Sequence, residues 1–169
     1  GRRGDAFDHA RRALELFRAA GHRRGQAHAL NAIGWDHAHL GQYREALDAC
    51  QQALALHEEL GDRGGQAGTW DSIGYAHHHL GHYGRAIACY RRAVALYRDL
   101  GDRYYEADTL CHLGDAQHAG GVSNNARDTY RHALTILEQL GHPGADKVRA
   151  KLQALRGNAQ AGNGRPQPA

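Results

Sequence analysis

The chain has 169 residues, 41% of them hydrophobic, and 21 Lys and Arg against 18 Asp and Glu give a net charge of +3. That is long enough for one domain with a real core. No apolar run approaches the roughly 20 residues of a membrane span, and charges of both signs are interspersed, so neither a bilayer nor a nucleic acid is implied.

Taken in chain order, the first segment, residues 1–20, matches residues 41–60: Gly1 aligns with Gly41, Ala6 with Ala46, Phe7 with Leu47 and Leu14 with Leu54. It reads as the second helix of a two-helix unit, without its partner. Phe7, Leu14 and Phe17 are then expected to be exposed, and a homodimer through this end is one expected association. No signal peptide or initiator Met is visible, and Gly1-Arg2-Arg3-Gly4 reads as the start of a piece of something longer.

Three units follow, at 21–60, 61–100 and 101–140, with a step of 40 residues. Leu60-Gly61-Asp62-Arg63 returns as Leu100-Gly101-Asp102-Arg103, and Ile33-Gly34 as Ile73-Gly74 and Leu113-Gly114. In the first helix of each unit, Leu30, Ile33, Gly34, His37 and Leu40 form one stripe, repeated by Trp70, Ile73, Gly74, His77 and Leu80. In the second, Ala46, Leu47, Cys50, Ala53, Leu54 and Leu60 correspond to Ala86, Ile87, Tyr90, Ala93, Val94 and Leu100. Gly41, Gly61, Gly81 and Gly101 fall where a left-handed residue ends a helix. Asp62 and Asp102 stand where a side-chain oxygen caps the next one. Gly34, Gly74 and Gly114 are mid-helix, at a cost of about 1 kcal/mol each, which implies close helix approach opposite the Ala columns. The third unit departs from the others, with Gly120-Gly121 for Leu-Gly and Ser123 for Tyr. Pro143 then opens a capping helix, 143–156, with Val148, Leu152 and Leu155 as its apolar stripe, and 157–169 reads as a flexible tail.

Gly34, Tyr43, Ala46 and Ala53, repeated at the same offsets as Gly74, Tyr83, Ala86 and Ala93, resemble the tetratricopeptide repeat (TPR). The family's usual period is about 34 residues, so about six are added here. This longer variety resembles the C-terminal arrays of actinobacterial SARP-type regulators and related signal-transduction (STAND) NTPases, which carry an NB-ARC-like ATPase ahead of the repeats. The resemblance implies an all-α, right-handed superhelix of about three and a half repeats plus the cap, lined by the first helices along its concave face. It also implies a protein or peptide partner, with the parent's own NTPase domain among the candidates, and a role in bacterial transcriptional regulation; a free-standing adaptor is the alternative.

The helical wheel sets out the groove independently. If Leu30, Ile33, Gly34 and His37 face inward, then His28, Asn31, Trp35 and His39 face the groove. The second unit contributes Asp71, Tyr75, His78 and His79, and the third Asp108, Cys111, Asp115 and His118. Trp35 and Tyr75 share one column and read as interface anchors, with packing against the next helix as the alternative. The aspartates make the lower groove acidic, and no Lys or Arg stands in these columns. A ligand with basic or hydrogen-bonding groups and an apolar anchor fits better than a terminal carboxylate. His37, His77 and Gln117 read as interior, hydrogen-bonded groups.

The chain holds 14 histidines. His77, His78 and His79 point in three directions on a helix and cannot chelate one ion together. An Asp115–His118 pair with His78 or His79 nearby is the weaker alternative, and no metal or cofactor is expected. Histidines titrating near 6.5 make a pH-dependent groove the better expectation. The phosphate-loop pattern is absent, His57-Glu58-Glu59-Leu60-Gly61 fails the zinc-protease pattern, and neither Ser72 nor Ser123 lies in Gly-x-Ser-x-Gly. The chain therefore reads as non-catalytic. Cys50, Cys89 and Cys111 are an odd set without paired spacing and read as reduced thiols in a cytoplasmic protein.

Overall fold

A computed structural model describes residues 2–162, with side chains described for 7–155. Among these residues the chain is all-helical, without a strand. The elements are α1 (Arg2–Ala19), α2 (Arg23–His39), α3 (Tyr43–Glu59), α4 (Arg63–His79), α5 (Tyr83–Leu100), α6 (Arg103–Ala119), α7 (Ser123–Gln139) and α8 (Gly144–Gly162). Helices pair in sequence, and each pair stacks on the next through α3–α4 and α5–α6, with α2 also touching α4. This is a two-helix solenoid. Helix α8 continues to Gly162, past the expected end at 156, and the rest of the expected tail lies outside the described residues.

The turns explain the regularity. Gly21, Gly41, Gly61, Gly81, Gly101, Gly121 and Gly141 all take positive φ, between 61° and 82°. After each, the next N–H returns to a carbonyl five residues back, as in Asp62 N to His57 O and Asp102 N to Tyr97 O, both 2.9 Å. These are helix-ending motifs that only glycine enters without strain. Every second helix start then receives a side-chain cap. His22 Nδ1 accepts from Gly25 N–H, Asp62 Oδ1 from Gly65 N–H and Asp102 Oδ1 from Tyr105 N–H. At the alternate starts, Gln42, His82 and Val122 supply no such bond.

Ala46, Ala86 and Ala126 are fully buried, as are Ala53, Ala93 and Ala133. Gly34 approaches the Ala46 carbonyl as expected, but the tightest neighbour of each mid-helix glycine lies in another column. Gly34 lies against Cys50, and a Cβ on Gly74 or Gly114 would stand 2.7 or 2.5 Å from the buried ring of Tyr90 or Tyr130. The glycine admits the side chain three residues before the second alanine, and the alanines flank it. Other expectations shift too. Leu40 and Leu100, read as part of the apolar stripes, are 51% and 47% exposed because they sit where the chain leaves its helix. Phe7, Leu14 and Phe17 are not turned outward. Leu14 is buried, and both phenylalanines pack with it against Leu30 and Ile33 of α2. The exposed apolar residue of α1 is Leu16.

The repeat boundaries are stitched by one column. Gln26 Nε2 donates to Phe17 O at 3.1 Å, and Gln66 Nε2 to His57 O at 3.2 Å. The third unit has Glu106 there, which has no N–H to give. It is fully buried and accepts instead from Arg98 Nε and Arg103 Nη1, both at 2.9 Å.

Candidate functional site

Helices α2, α4 and α6 share one face, and a cavity of about 420 Å³ opens on it. His28, Asn31 and Trp35 line it from α2, Asp71 from α4, and Asp108 and His112 from α6, with Tyr97 and Tyr105 closing its lower side. A recess of about 190 Å³ beside it brings together Tyr75, His78, His79, Tyr90, His112 and Asp115. A third cavity, of about 320 Å³, runs from Asp108, Cys111 and Asp115 to Lys147 and Lys151 of α8.

The upper part is aromatic. Trp35 and Tyr75 lie with ring centroids 5.1 Å apart, across α2 and α4. His39 stacks on Tyr75 at 5.1 Å with planes 7° apart, while His79 meets Tyr75 at 4.3 Å and stacks on Tyr43 at 5.4 Å. His39 Nδ1 also lies 2.9 Å from Trp35 O. Trp35 and Tyr75 are half-buried: they pack on one another, Trp35 lines the cavity and Tyr75 lines the recess beside it.

The lower part is less acidic than the aspartates alone suggest. Asp71 Oδ1 is bonded to His112 Nδ1 at 3.0 Å. Burial works against the charged His112 ring, but its bond to Asp71, with the charges of Asp71, Asp108 and Asp115, outweighs this and raises its pKa above 6.5. Lys151 Nζ reaches both oxygens of Asp115 at 2.6 Å, and Tyr130 Oη donates to Oδ1 at 2.6 Å. Asp108 stays exposed, with no ion-pair partner among the described residues. His78 is pushed down by burial and by His79 despite Asp115, and His79 by burial and by His39. These two rings are therefore neutral at neutral pH, while His112 holds its proton longest.

Two of the expected groove residues behave differently from the rest. His118 lines none of these cavities; it is exposed at the start of the α6–α7 turn, with Nδ1 3.4 Å from Ser123 Oγ. With Asp115 held by Lys151, the two do not meet as an ion-binding pair. Burial pushes the Cys111 thiol up to about 12, so it carries no thiolate at neutral pH. The interior column also divides. Gln117 accepts from Thr129 Oγ1 at 2.8 Å and His37 contacts Gln42 at 2.6 Å, whereas the buried Nδ1 of His77 has no partner.

The wheel missed His112, one residue past the column of Cys111, and it missed Lys151. The latter was legible: it stands three residues after Val148 and four before Leu155, at the edge of the apolar stripe of α8, where its stem can reach the array. Tyr97 was hidden among the packing positions of α5, in the column of Phe17, His57 and Leu137.

Paired helices, left-handed glycine turns and a ligand-sized face built from alternate helices define a helical-repeat scaffold. The family model of the tetratricopeptide repeat matches residues 1–59 and 65–139, and the chain belongs to that family. No curated protein matches the sequence. Among solved structures, the chain is similar in fold to a Rap protein complexed with competence and sporulation factor, at 18% identity and a TM-score of 0.81, over 93% of this chain and 44% of that one. It is also similar to BtubC (BKLC) from P. vanneervenii, at 17% identity and a TM-score of 0.61, over 100% of this chain and 78% of that one. The chain thus spans less than half the length of the Rap protein.

Proposed function

We propose that the array is a non-catalytic recognition module that takes a peptide or a protein segment into the groove of α2, α4 and α6. The observation that carries this is that the half-buried Trp35, packed on Tyr75, lines one cavity with the exposed carboxylate of Asp108. An apolar or aromatic side chain of the ligand lies on Trp35 and Tyr75, and a cationic or hydrogen-bond-donating group meets Asp108 and Asp71. Asn31 offers its amide to the ligand backbone, and His28, His39, His78, His79, Cys111, Asp115 and His118 complete the proposed surface. The fold supports the reading, since TPR arrays present such faces to proteins, and the Rap structure is of a complex with a factor. In the finer form of the proposal the module is the sensor part of a larger bacterial transcriptional regulator in the cytoplasm, and its partner is that protein's own NTPase domain.

The test is a screen of short basic and neutral peptides, each carrying a dye, read by the fluorescence anisotropy of the dye. Binding that disappears in the combined Trp35→Ala, Tyr75→Ala, Asp71→Ala variant supports the groove. Binding of unchanged affinity in that variant refutes it.

A further inference from the structure

At the boundary of the first and second full repeats, at the edge of the cavity that His28 shares with Trp35, three metal-ligating groups converge. His57, at the end of α3, places Nδ1 3.1 Å from Asp62 Oδ2. His28, on α2, places Nε2 3.3 Å from the same oxygen. All three donor atoms lie within 4.8 Å of one another. In a tetrahedral zinc site with bonds of about 2.0–2.1 Å, ligand atoms stand roughly 3.3 Å apart. Two of the three edges therefore already have the required length, and a small inward movement of the exposed His28 closes the third.

Packing does not explain the arrangement. The column of His57 holds Phe17, Tyr97 and Leu137 in the other second helices, so the fold asks there for an apolar or aromatic side chain. His57 is nevertheless fully buried, and its Nε2 has no hydrogen-bond partner. The column of His28 holds Gly68 and Asp108, and that of Asp62 holds His22, Asp102 and His142. Only this boundary combines two imidazoles with a carboxylate. His57 and Asp62 also hold the charge states a metal needs. Burial and the neighbouring His28 push His57 below the ordinary histidine value despite Asp62, so its ring is neutral, and the tautomer with the proton on Nε2 presents the Nδ1 lone pair to a metal. Burial opposes the charge on Asp62, but the Gly65 N–H bond and the two histidines outweigh it and hold the carboxyl below its usual range. The competing group is Arg24, whose Nε lies 3.7 Å from Asp62 Oδ2; its side chain is 62% exposed and swings into solvent without loss of packing.

We propose that His28, His57 and Asp62 form a binding site for a divalent transition-metal ion of the zinc class, with water in the fourth position. The ion fastens α2, α3 and the start of α4 across a repeat boundary. The inference goes beyond the groove reading and does not depend on it.

The experiment uses the whole chain and the metal alone. Zn²⁺ is titrated calorimetrically and Co²⁺ by its visible absorption, with Tm measured in parallel. The expected result is one Zn²⁺ per chain, a higher Tm and the intense absorption of tetrahedral Co²⁺. His28→Ala and Asp62→Asn should each weaken binding by roughly tenfold or more and remove that absorption. Both should stay folded by circular dichroism, since His28 is exposed and asparagine keeps the capping oxygen. A His9→Ala, His132→Ala control, which removes surface imidazoles elsewhere, should bind as the parent does. Unchanged Zn²⁺ affinity in His28→Ala and Asp62→Asn, no one-to-one binding in the parent, or an octahedral Co²⁺ spectrum would each overturn the proposal.

Discussion

At the turn from α3 into α4, Asp62 caps the new helix with one oxygen and meets His57 with the other, and Gln66 reaches back to the carbonyl of His57. At the turn from α5 into α6, Asp102 makes the same cap, but Tyr97 replaces His57 and stacks on Tyr105, and Glu106 replaces Gln66. The backbone path is common to both; the side chains around it are not. At the first turn Gly65 lies directly against the His57 ring, where a Cβ would overlap it. At the second the matching position carries the half-exposed Tyr105. Glycine turns, alanine columns and caps thus fix where helices go, and the remaining columns decide what each boundary does. The first boundary gathers imidazoles and a carboxylate, while the second gathers tyrosines along the cavity and clamps a buried acid between two arginines.

The clamp should give the largest effect. Replacing Arg98 and Arg103 together with Ala leaves the fully buried Glu106 carboxylate only His132 Nε2, at 3.9 Å, and breaking a buried pair from one side costs about 3–5 kcal/mol. Urea unfolding of Arg98→Ala/Arg103→Ala reads this directly. Adding Glu106→Gln should restore most of the loss, because the amide can donate to the Tyr97 carbonyl as Gln66 does to that of His57. Failure of the rescue would mean that the two boundaries are not interchangeable even at this column.

Steric differences come next. Gly65→Ala forces the fully buried His57 ring aside, and overpacking of this kind costs about 1–3 kcal/mol, more than the helix propensity of alanine returns. Tyr105→Ala at the corresponding position removes a half-exposed ring whose main contact is its stack on Tyr97, and should cost about 0.5–1 kcal/mol, less than the overpacking. Equal effects in thermal denaturation would dissolve the distinction drawn between the two turns.

The fold was almost fully legible in the sequence because it rests on features that repeat: glycine at every turn, alanine in fixed columns, aspartate before a helix. Repetition does not help where a position is used once. Lys151 lies 36 residues from Asp115, and His112 41 from Asp71, so no local pattern announces either bond. His57 and Asp62 meet within one turn, but only the packing of α2 beside that turn brings His28 to them. The aspartates were read as an acidic surface for the same reason, since their partners reach them from other helices. Column-by-column comparison would have singled out His57, whose equivalents are all apolar or aromatic.

The smallest effect concerns pH and has opposite signs at two histidines. His57 has its pKa lowered by burial and by His28, so its contribution to stability is complete above the ordinary value of 6.5 and is lost as pH falls through the lower folded value. For His112 burial is outweighed by Asp71, and the raised pKa gives a contribution that is complete below 6.5 and lost as pH rises through the higher folded value. Each slope is at most about 1.4 kcal/mol per pH unit. Asp71→Asn should therefore lower the urea midpoint at about pH 6 and leave it nearly unchanged at about pH 8.5. His28→Ala, which removes one of the causes that lower His57, should instead flatten the loss on the acid side. If both variants shifted the profile in the same direction, the buried imidazole of the first boundary and the carboxylate-bound imidazole of the groove would not be separate electrostatic environments.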